Sequence, residues 1–344
     1  MPSNLKEVDV LIAGAGPAGS ACAHLLQQAG HDCLVVDPAE FPRDKICGGG
    51  LTPRGWEFLE RLFPGLDYDY LPVHWAHLYM DGRYKGRYFM EKEIRVVRRK
   101  AFDKLLLDEY LKAGGAILKD RVWEVRELED GRIEVSLSSG KTIRCRYLVG
   151  ADGAGSRVRQ YLNPDSKSRM LIFEQYNQRS GTDEISFELA GKYKNGYYYL
   201  FPNKDCDIAG YCEKDATREK FAGVLDSFGI EKTKTLGAFI TTELDYPFHP
   251  HILLVGDAGC WCDCLSYEGL YFALATGENA AKAILENRPF QEVNAPILEK
   301  KLHRTKAAKL LYNPVGLTVV KLISHNQHLT ERILNRYLRE EVAG

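Results

Sequence analysis

The 344-residue chain lacks a surplus of either charge: 46 lysines and arginines stand against 47 aspartates and glutamates, a formal net charge of -1. Bulk electrostatics therefore gives no support to nucleic-acid binding. No apolar run approaches the length of a bilayer span, which argues against an integral membrane protein. The opening "MPSNLKEVDVLIAGAG" carries an acidic residue and no long apolar core, so it does not read as a secretion signal. The expectation is a cytoplasmic chain whose nine cysteines are mostly reduced thiols. Internal repeats and low-complexity tracts are also missing. A hydrophobic share of 45% and a charged share of 27% are ordinary for a globular protein, and the length suits two structural domains.

What is present starts with "EVDVLIAGAGPAGSACAHLLQQAGHDCLVVDPAE". Val8 to Ala13 reads as an apolar strand, and Gly14-x-Gly16-x-x-Gly19, with Ala18 inside it, leads into a helix from about Pro17 to Gln28. A second strand, Cys33 to Val36, ends at Asp37. Each glycine has a mechanical task. Gly14 turns the chain, Gly16 lets backbone approach a pyrophosphate, and Gly19 lets helix pack on strand. The helix N-terminus faces the phosphates, and Asp37 is placed to accept from a ribose hydroxyl. This is the order of a dinucleotide-binding unit.

Two later stretches decide which dinucleotide. "RCRYLVGADGAGSRVRQYL" sets a strand, Tyr147 to Val149, before Gly150, Asp152, Gly153, Ser156 and Arg157. "PHILLVGDAGCWCDCLSYEGLYFALATGENAAKAIL" sets a strand, Ile252 to Val255, before Gly256, Asp257 and Ala258, with a helix from about Gly269 and Leu270. A nicotinamide dehydrogenase has no need of these, whereas an extended FAD does. Asp257 can hold the ribityl chain, and the helix behind Glu268 and Gly269 can point its dipole at the pyrimidine end of the flavin.

The three motifs, in this order, resemble the FAD-dependent oxidoreductases of the p-hydroxybenzoate-hydroxylase type. The resemblance implies an α/β fold: a Rossmann-like FAD-binding domain, an inserted antiparallel β-sheet substrate domain and C-terminal helices. "VVRRKAFDKLLLDEYLKAGG" is similar to the family segment in which an arginine, here Arg99, precedes a helix that closes against FAD. On its own Arg99 reads equally as a surface charge, while Phe102, Leu105, Leu106 and Tyr110 share one helical face.

"FPRDKICGGGLTPRG" narrows the resemblance, because Pro42 and Cys47 to Gly50 match the P-x-x-x-x-C-G-G-G signature of geranylgeranyl reductases. That family passes this loop beside the flavin ring. Gly48 and Gly49 would let backbone lie against a flat cofactor, and Cys47 would face the reacting side. An ordinary thiol stays mostly protonated at neutral pH, so Cys47 is the expected catalytic residue, donating or relaying a proton. "GYYYLFPNKDCDIAGYC" matches the family's substrate sheet in part: Tyr197, Tyr199, Phe201, Pro202 and Gly210 agree, while Tyr199 replaces a tryptophan and Cys212 a glycine. Strand alternation puts Tyr197, Tyr199 and Phe201 on one face, either an aromatic floor for a long apolar substrate or a sheet face packed on the core. Flavin halogenases share the cofactor motifs, but their tryptophan-rich signature is missing.

The resemblance implies FAD-dependent reduction of carbon–carbon double bonds, with a geranylgeranyl-type prenyl chain as the expected substrate. Reduced flavin would supply a hydride to one alkene carbon and an acid a proton to the other. NAD(P)H or another electron carrier would reduce the flavin transiently. An aromatic monooxygenase on the same fold, or a non-catalytic redox-sensing flavoprotein, is the alternative.

Cys260, Cys262 and Cys264 depart from the family pattern. Their spacing matches no usual zinc or ferredoxin site. They read as small side chains filling a tight loop, with a transient disulfide to Cys47 as the other reading.

Residues 1–73, 95–165 and 246–290 form the expected cofactor domain. Residues 74–94 and 166–245 form the β-rich substrate domain, with a hairpin turn at Asp81-Gly82 and a helix near Thr217 to Phe228. Residues 291–344 look helical, and "TVVKLISHNQHLTERILNRYLREE" mixes apolar and basic positions. Such a helix either touches a membrane surface or packs on its own domain. The oligomeric state stays open.

Overall fold

The computed structural model describes residues 5–191, 193 and 195–339; the ends of the first cofactor segment (1–4) and of the C-terminal segment (340–344) lie outside these. The chain runs β1 (Leu5–Ala13), α1 (Pro17–Gln28), β2 (Cys33–Asp37), β3 (Gly50–Leu51), α2 (Pro53–Leu62), β4 (Leu71–Met80), β5 (Arg83–Val96) and α3 (Arg99–Lys112). Then come β6 (Ala116–Lys119), β7 (Val122–Glu127), β8 (Ile133–Leu137), β9 (Thr142–Gly150) and α4 (Arg157–Leu162). Next are β10 (Met170–Asn177), β11 (Glu184–Leu189), β12 (Tyr197–Pro202), β13 (Asp207–Cys212), α5 (Arg218–Ser227) and β14 (Leu236–Ile240). The chain returns through β15 (Ile252–Leu254) to α6 (Leu270–Leu285), α7 (Phe290–Val293), α8 (Ala295–Leu311), α9 (Pro314–Ile323) and α10 (Gln327–Arg339).

The first sheet has the order β6-β2-β1-β9-β8-β7, with β15 also on β9. Its β6, β2, β1, β9 and β15 pair in parallel, and Ala13 lies opposite both Val36 and Gly150. β2, β15 and the C-terminal halves of β1 and β9 are nearly continuous apolar runs because both of their faces are covered. The Gly14 N–H donates to Val36 O (2.8 Å), Ala151 N–H to Ala13 O (2.7 Å) and Val255 N–H to Gly150 O (2.9 Å). The chain segments that follow β1, β2, β9 and β15 therefore meet at one crevice, at the carboxyl ends of parallel strands. Ligands bind there in this kind of sheet.

The second sheet runs β14-β10-β13-β12-β11-β4-β5-β3. Every pair is antiparallel except β11 with β4, which is parallel because the chain crosses the first sheet between them. Asp81 and Gly82 both take positive φ (51° and 73°), the geometry a tight hairpin needs. One face of this sheet packs Tyr198 and Tyr211 against Phe221, Val224 and Leu225 of α5. Its other face turns toward the crevice, and α10 lays Leu338 beside Met90 and Ile94 of β5.

On α3, Phe102, Leu106 and Tyr110 are buried as the helical face requires, whereas Leu105 is half-buried and Leu107 takes its place in the core. Across the crevice, α1 and α6 approach at glycines: a Cβ on Gly277 would stand 2.4 Å from Ala18 O.

Candidate active site

A cavity of about 930 Å³ extends from the crevice of the first sheet to the inner face of the second. It is large enough for a big ligand.

At the crevice end it is lined by Gly14, Gly16, Ala18, Asp37, Asp152, Gly153, Gly256 and Asp257, together with Arg43. Gly14 takes φ 107°, and a Cβ there would stand 2.3 Å from Ala151 O. Gly19 lies outside the cavity wall, where a Cβ would stand 1.9 Å from Gly14 O. Gly16 differs: the only atom within 4 Å of its Cβ position is Arg43 Nη2, at 3.6 Å. Gly14 and Gly19 are thus demanded by the chain itself, while the hydrogen of Gly16 faces space. The N-terminus of α1 has no side-chain cap, which leaves its first N–H groups for an anion.

Both Asp37 oxygens already accept, from Ala15 N–H and Ala39 N–H (2.8 Å each). Each retains a second lone pair for a ribose hydroxyl. Asp152 caps the next turn by accepting Arg157 N–H at 2.7 Å, but its Oδ1 is buried without a partner, and burial pushes this carboxyl up. Gly153 and Gly155 have nothing within 4 Å of their Cβ positions. An orphaned acceptor, an uncapped helix and a bare glycine edge fit the phosphates and ribose of a dinucleotide. The residues present therefore suit FAD.

The middle of the cavity is formed by the 45–52 loop, Arg99 and the start of α6. The Cys47 sulfur accepts the Gly49 N–H at 3.4 Å. Gly49 has φ 76°, and a Cβ there would meet Val97 O at 2.2 Å, while one on Gly48 would meet Phe201 Cδ2 at 2.3 Å. The run of glycines is therefore required for seating the loop on β5 and β12, in addition to any approach to a cofactor.

Arg99 is no surface charge. Its guanidinium donates to both Asp103 oxygens (2.7 and 2.9 Å), and Asp103 together with Cys47 pushes it up against the opposing effect of burial. Glu268 accepts from Arg54 Nε (2.9 Å) and from the Thr52 hydroxyl, so the 45–55 stretch is tied to the loop before α6. Both partners are buried, and removing one side of such a pair typically costs about 3–5 kcal/mol. Gly269 caps α6 without a side-chain bond, and Leu270 follows it into the cavity wall.

The far end is apolar. Tyr197, Tyr199 and Phe201 line it from β12, with Phe187, Ile172 and Met90 nearby, and Tyr312 and Tyr337 close it from the C-terminal helices. Phe187 meets Phe201 edge-on at 5.6 Å. Pro202 ends β12 and does not line the cavity, because alternation turns it away.

Cys260 and Cys262 are buried and Cys264 is half-buried; all nine cysteines are free thiols, so no disulfide joins this loop to Cys47. Among the described residues, no group of three or more His, Cys, Asp or Glu could hold a metal ion.

Arg43, Met90, Ile172, Phe187, Tyr312 and Tyr337 escaped the sequence reading of the site, and so did its one buried acid on β10. Glu174, from β10, is fully buried in the cavity wall and accepts the Tyr199 hydroxyl on Oε1, while Oε2 has no partner. Burial pushes its carboxyl up to about 7, against the opposing pull of Tyr199, the Cys47 peptide, Lys45 and Arg99. The signal was an acid inside the apolar run "MLIFEQYN".

Comparison with known proteins agrees with this geometry. Residues 7–204 match the FAD binding domain family. A menaquinone reductase of Mycolicibacterium smegmatis is 29% identical over 317 residues, covering 80% of this chain and 75% of that protein. A digeranylgeranylglycerophospholipid reductase of Methanosphaera stadtmanae is 26% identical over 329 residues, covering 84% and 81%. A geranylgeranyl bacteriochlorophyll reductase-like protein from Thermoplasma acidophilum shares the fold, with a TM-score of 0.80, 22% identity and coverage of 97% and 98%. The chain belongs to the FAD binding domain family, and its likeness to the two reductases and to the Thermoplasma protein is that of a FAD-dependent oxidoreductase.

Proposed function

We propose that the protein reduces carbon–carbon double bonds in a prenyl chain. The observation that carries this reading is a single cavity with a dinucleotide cradle at one end, an aromatic and aliphatic floor at the other, and the Cys47 loop between. The relatives support it, since menaquinone and digeranylgeranylglycerophospholipid both carry prenyl chains.

FAD, when bound, supplies the hydride for the reduction, and NAD(P)H or another carrier restores it. The chain does the rest. Gly14, Gly16, Asp37, Asp152 and Asp257 hold the cofactor. Tyr197, Tyr199 and Phe201 bury the alkene and exclude water, and Cys47 gives a proton to the second alkene carbon.

Anaerobic mixing of the reduced protein with geranylgeranyl and menaquinone-type alkenes should reoxidise the flavin and yield the saturated product. Protein that ignores every alkene, yet uses oxygen to hydroxylate an aromatic, would be a monooxygenase instead.

The entry of such a substrate points to an anionic bilayer surface. Val315, Val319 and Leu322 recur at helical spacing on α9 and are 69%, 46% and 68% exposed. Lys306, Lys309 and Lys321 are exposed nearby, and the adjoining Leu311 and Tyr312 line the cavity. Among the described residues no helix is long and apolar enough to cross a membrane. An apolar stripe flanked by lysines suits shallow insertion among anionic headgroups. Replacing Val315, Val319 and Leu322 together with serine should lower co-sedimentation with anionic vesicles about tenfold and leave FAD content unchanged. Equal sedimentation of both proteins would assign the stripe another role.

A further inference from the structure

We propose that Glu174 is the proton reservoir of the cavity, reloading Cys47 through the Tyr199 hydroxyl. The inference rests on the alkene-reductase reading above.

Glu174 is held from both sides, because β10 pairs with β13 and with β14. Its partner on β13 is Gly210, where a Cβ would stand 2.0 Å from Tyr199 Cζ. The missing side chain makes room for the Tyr199 ring. Tyr199 fills that room and donates its hydroxyl to Glu174 Oε1. Oε2 is left bare, so a carboxylate here would be a buried charge with one unsatisfied oxygen. A neutral carboxyl has no such penalty.

The other titratable and charged groups facing Glu174 are Lys45, Arg99, Cys47, Tyr176 and Cys212. Lys45 and Arg99 oppose the rise caused by burial without cancelling it, which leaves the carboxyl titrating at about 7.

Cys47 and Tyr199 both line the cavity, and a Cβ on the neighbouring Gly48 would stand 3.2 Å from Tyr199 Cε2. The Gly49 N–H and Arg99 both face the Cys47 sulfur and would stabilise it once its proton has left. The sequence of events balances. With reduced FAD bound as the reductant, one alkene carbon would gain the hydride it supplies and the other would gain the thiol proton of Cys47, leaving a thiolate. The Tyr199 hydroxyl, which donates to Glu174 at rest, then rotates toward the thiolate and gives it its proton, the tyrosine oxygen takes the proton of the Glu174 carboxyl, and solvent reprotonates the carboxylate between turnovers. A thiolate is ordinarily the stronger base, so the transfer runs toward sulfur.

Glu174 acts through other residues, so its loss should divide single from multiple turnover. In Glu174→Gln, FAD content and the first anaerobic reduction of alkene per site should match wild type, because the thiol starts loaded. Steady-state turnover should fall about a hundredfold. Wild-type steady-state rate should decline as pH rises through about 7, where the carboxyl empties, and Glu174→Gln should lose that limb.

Infrared difference spectra across pH give a readout that needs no alkene. A protonated-carboxyl band should disappear near pH 7 in wild type and be missing in Glu174→Gln. Unchanged steady-state rate and pH profile in Glu174→Gln, or a wild type without that band, overturns the proposal. A wild type with the band that reduces no alkene overturns the reductase reading, and the reservoir role with it.

Discussion

Gly16→Val protein should emerge folded and colourless. The backbone at Gly16 is extended (φ −73°, ψ −178°), a conformation valine adopts without strain. A Cβ there would find only the flexible end of Arg43, at 3.6 Å. The fold has no objection to the substitution. The added side chain instead enters the cavity at the N-terminus of α1, where a pyrophosphate must approach backbone closely. FAD affinity should drop at least about a hundredfold, or about 2.7 kcal/mol. Thermal unfolding should match that of wild-type protein stripped of FAD, which separates a blocked cradle from a misfolded one.

Asp257→Ala should lose less, because Asp257 is one anchor among several. Gly14→Ala or Gly19→Ala would not test the same point, since each drives a Cβ into backbone at 2.3 or 1.9 Å. Yellow Gly16→Val protein with normal FAD content would mean that the motif has been assigned to the wrong task.

The contrast among these glycines marks how much of the molecule was legible from sequence. Local devices could be read. The α1 range Pro17–Gln28, the hairpin at Asp81-Gly82 and the one-sided face of Tyr197, Tyr199 and Phe201 each depend on residues a few positions apart. Contacts between distant segments could not. Arg54 and Glu268 are 214 residues apart, and nothing local in either tells that they pair. Glu174 follows the apolar run Leu171–Phe173 of β10, and an acid ordinarily faces water. Its burial depends on Tyr199 filling the space beside Gly210 and donating to it. The glycines after Cys47 could be read as room for a cofactor, but their crowding against Phe201 and Val97 appears only once β5 and β12 are in place. Pro202 matches the substrate-sheet run of the family the sequence resembles, and strand alternation turns it away from the cavity.

Cys47→Ala carries the second large effect, and its strength as a test comes from how little else it should disturb. The loop keeps its seat. Val97 N–H donates to Gly49 O at 2.9 Å, and Gly48 and Gly49 remain packed on Phe201 and Val97. What is lost is the acceptor of the buried Gly49 N–H and a neighbour of the Arg99 guanidinium, together a cost of about 1–3 kcal/mol. FAD retention should therefore stay close to wild type, with the unfolding temperature lowered by only a few degrees. Reoxidation of the reduced protein by alkene should fall about a hundredfold, the usual loss with a general acid. The fall should appear already in the first turnover, where Glu174→Gln is expected to be normal, because the thiol proton is used before the reservoir is drawn on. Cys47→Ser keeps a proton on a group of similar size and should fall between wild type and alanine. If alanine at position 47 leaves alkene-driven reoxidation unchanged, the sulfur is a polarizable wall of the cavity and the proton comes from elsewhere. Tyr199, with Glu174 behind it, would then be the group to replace next.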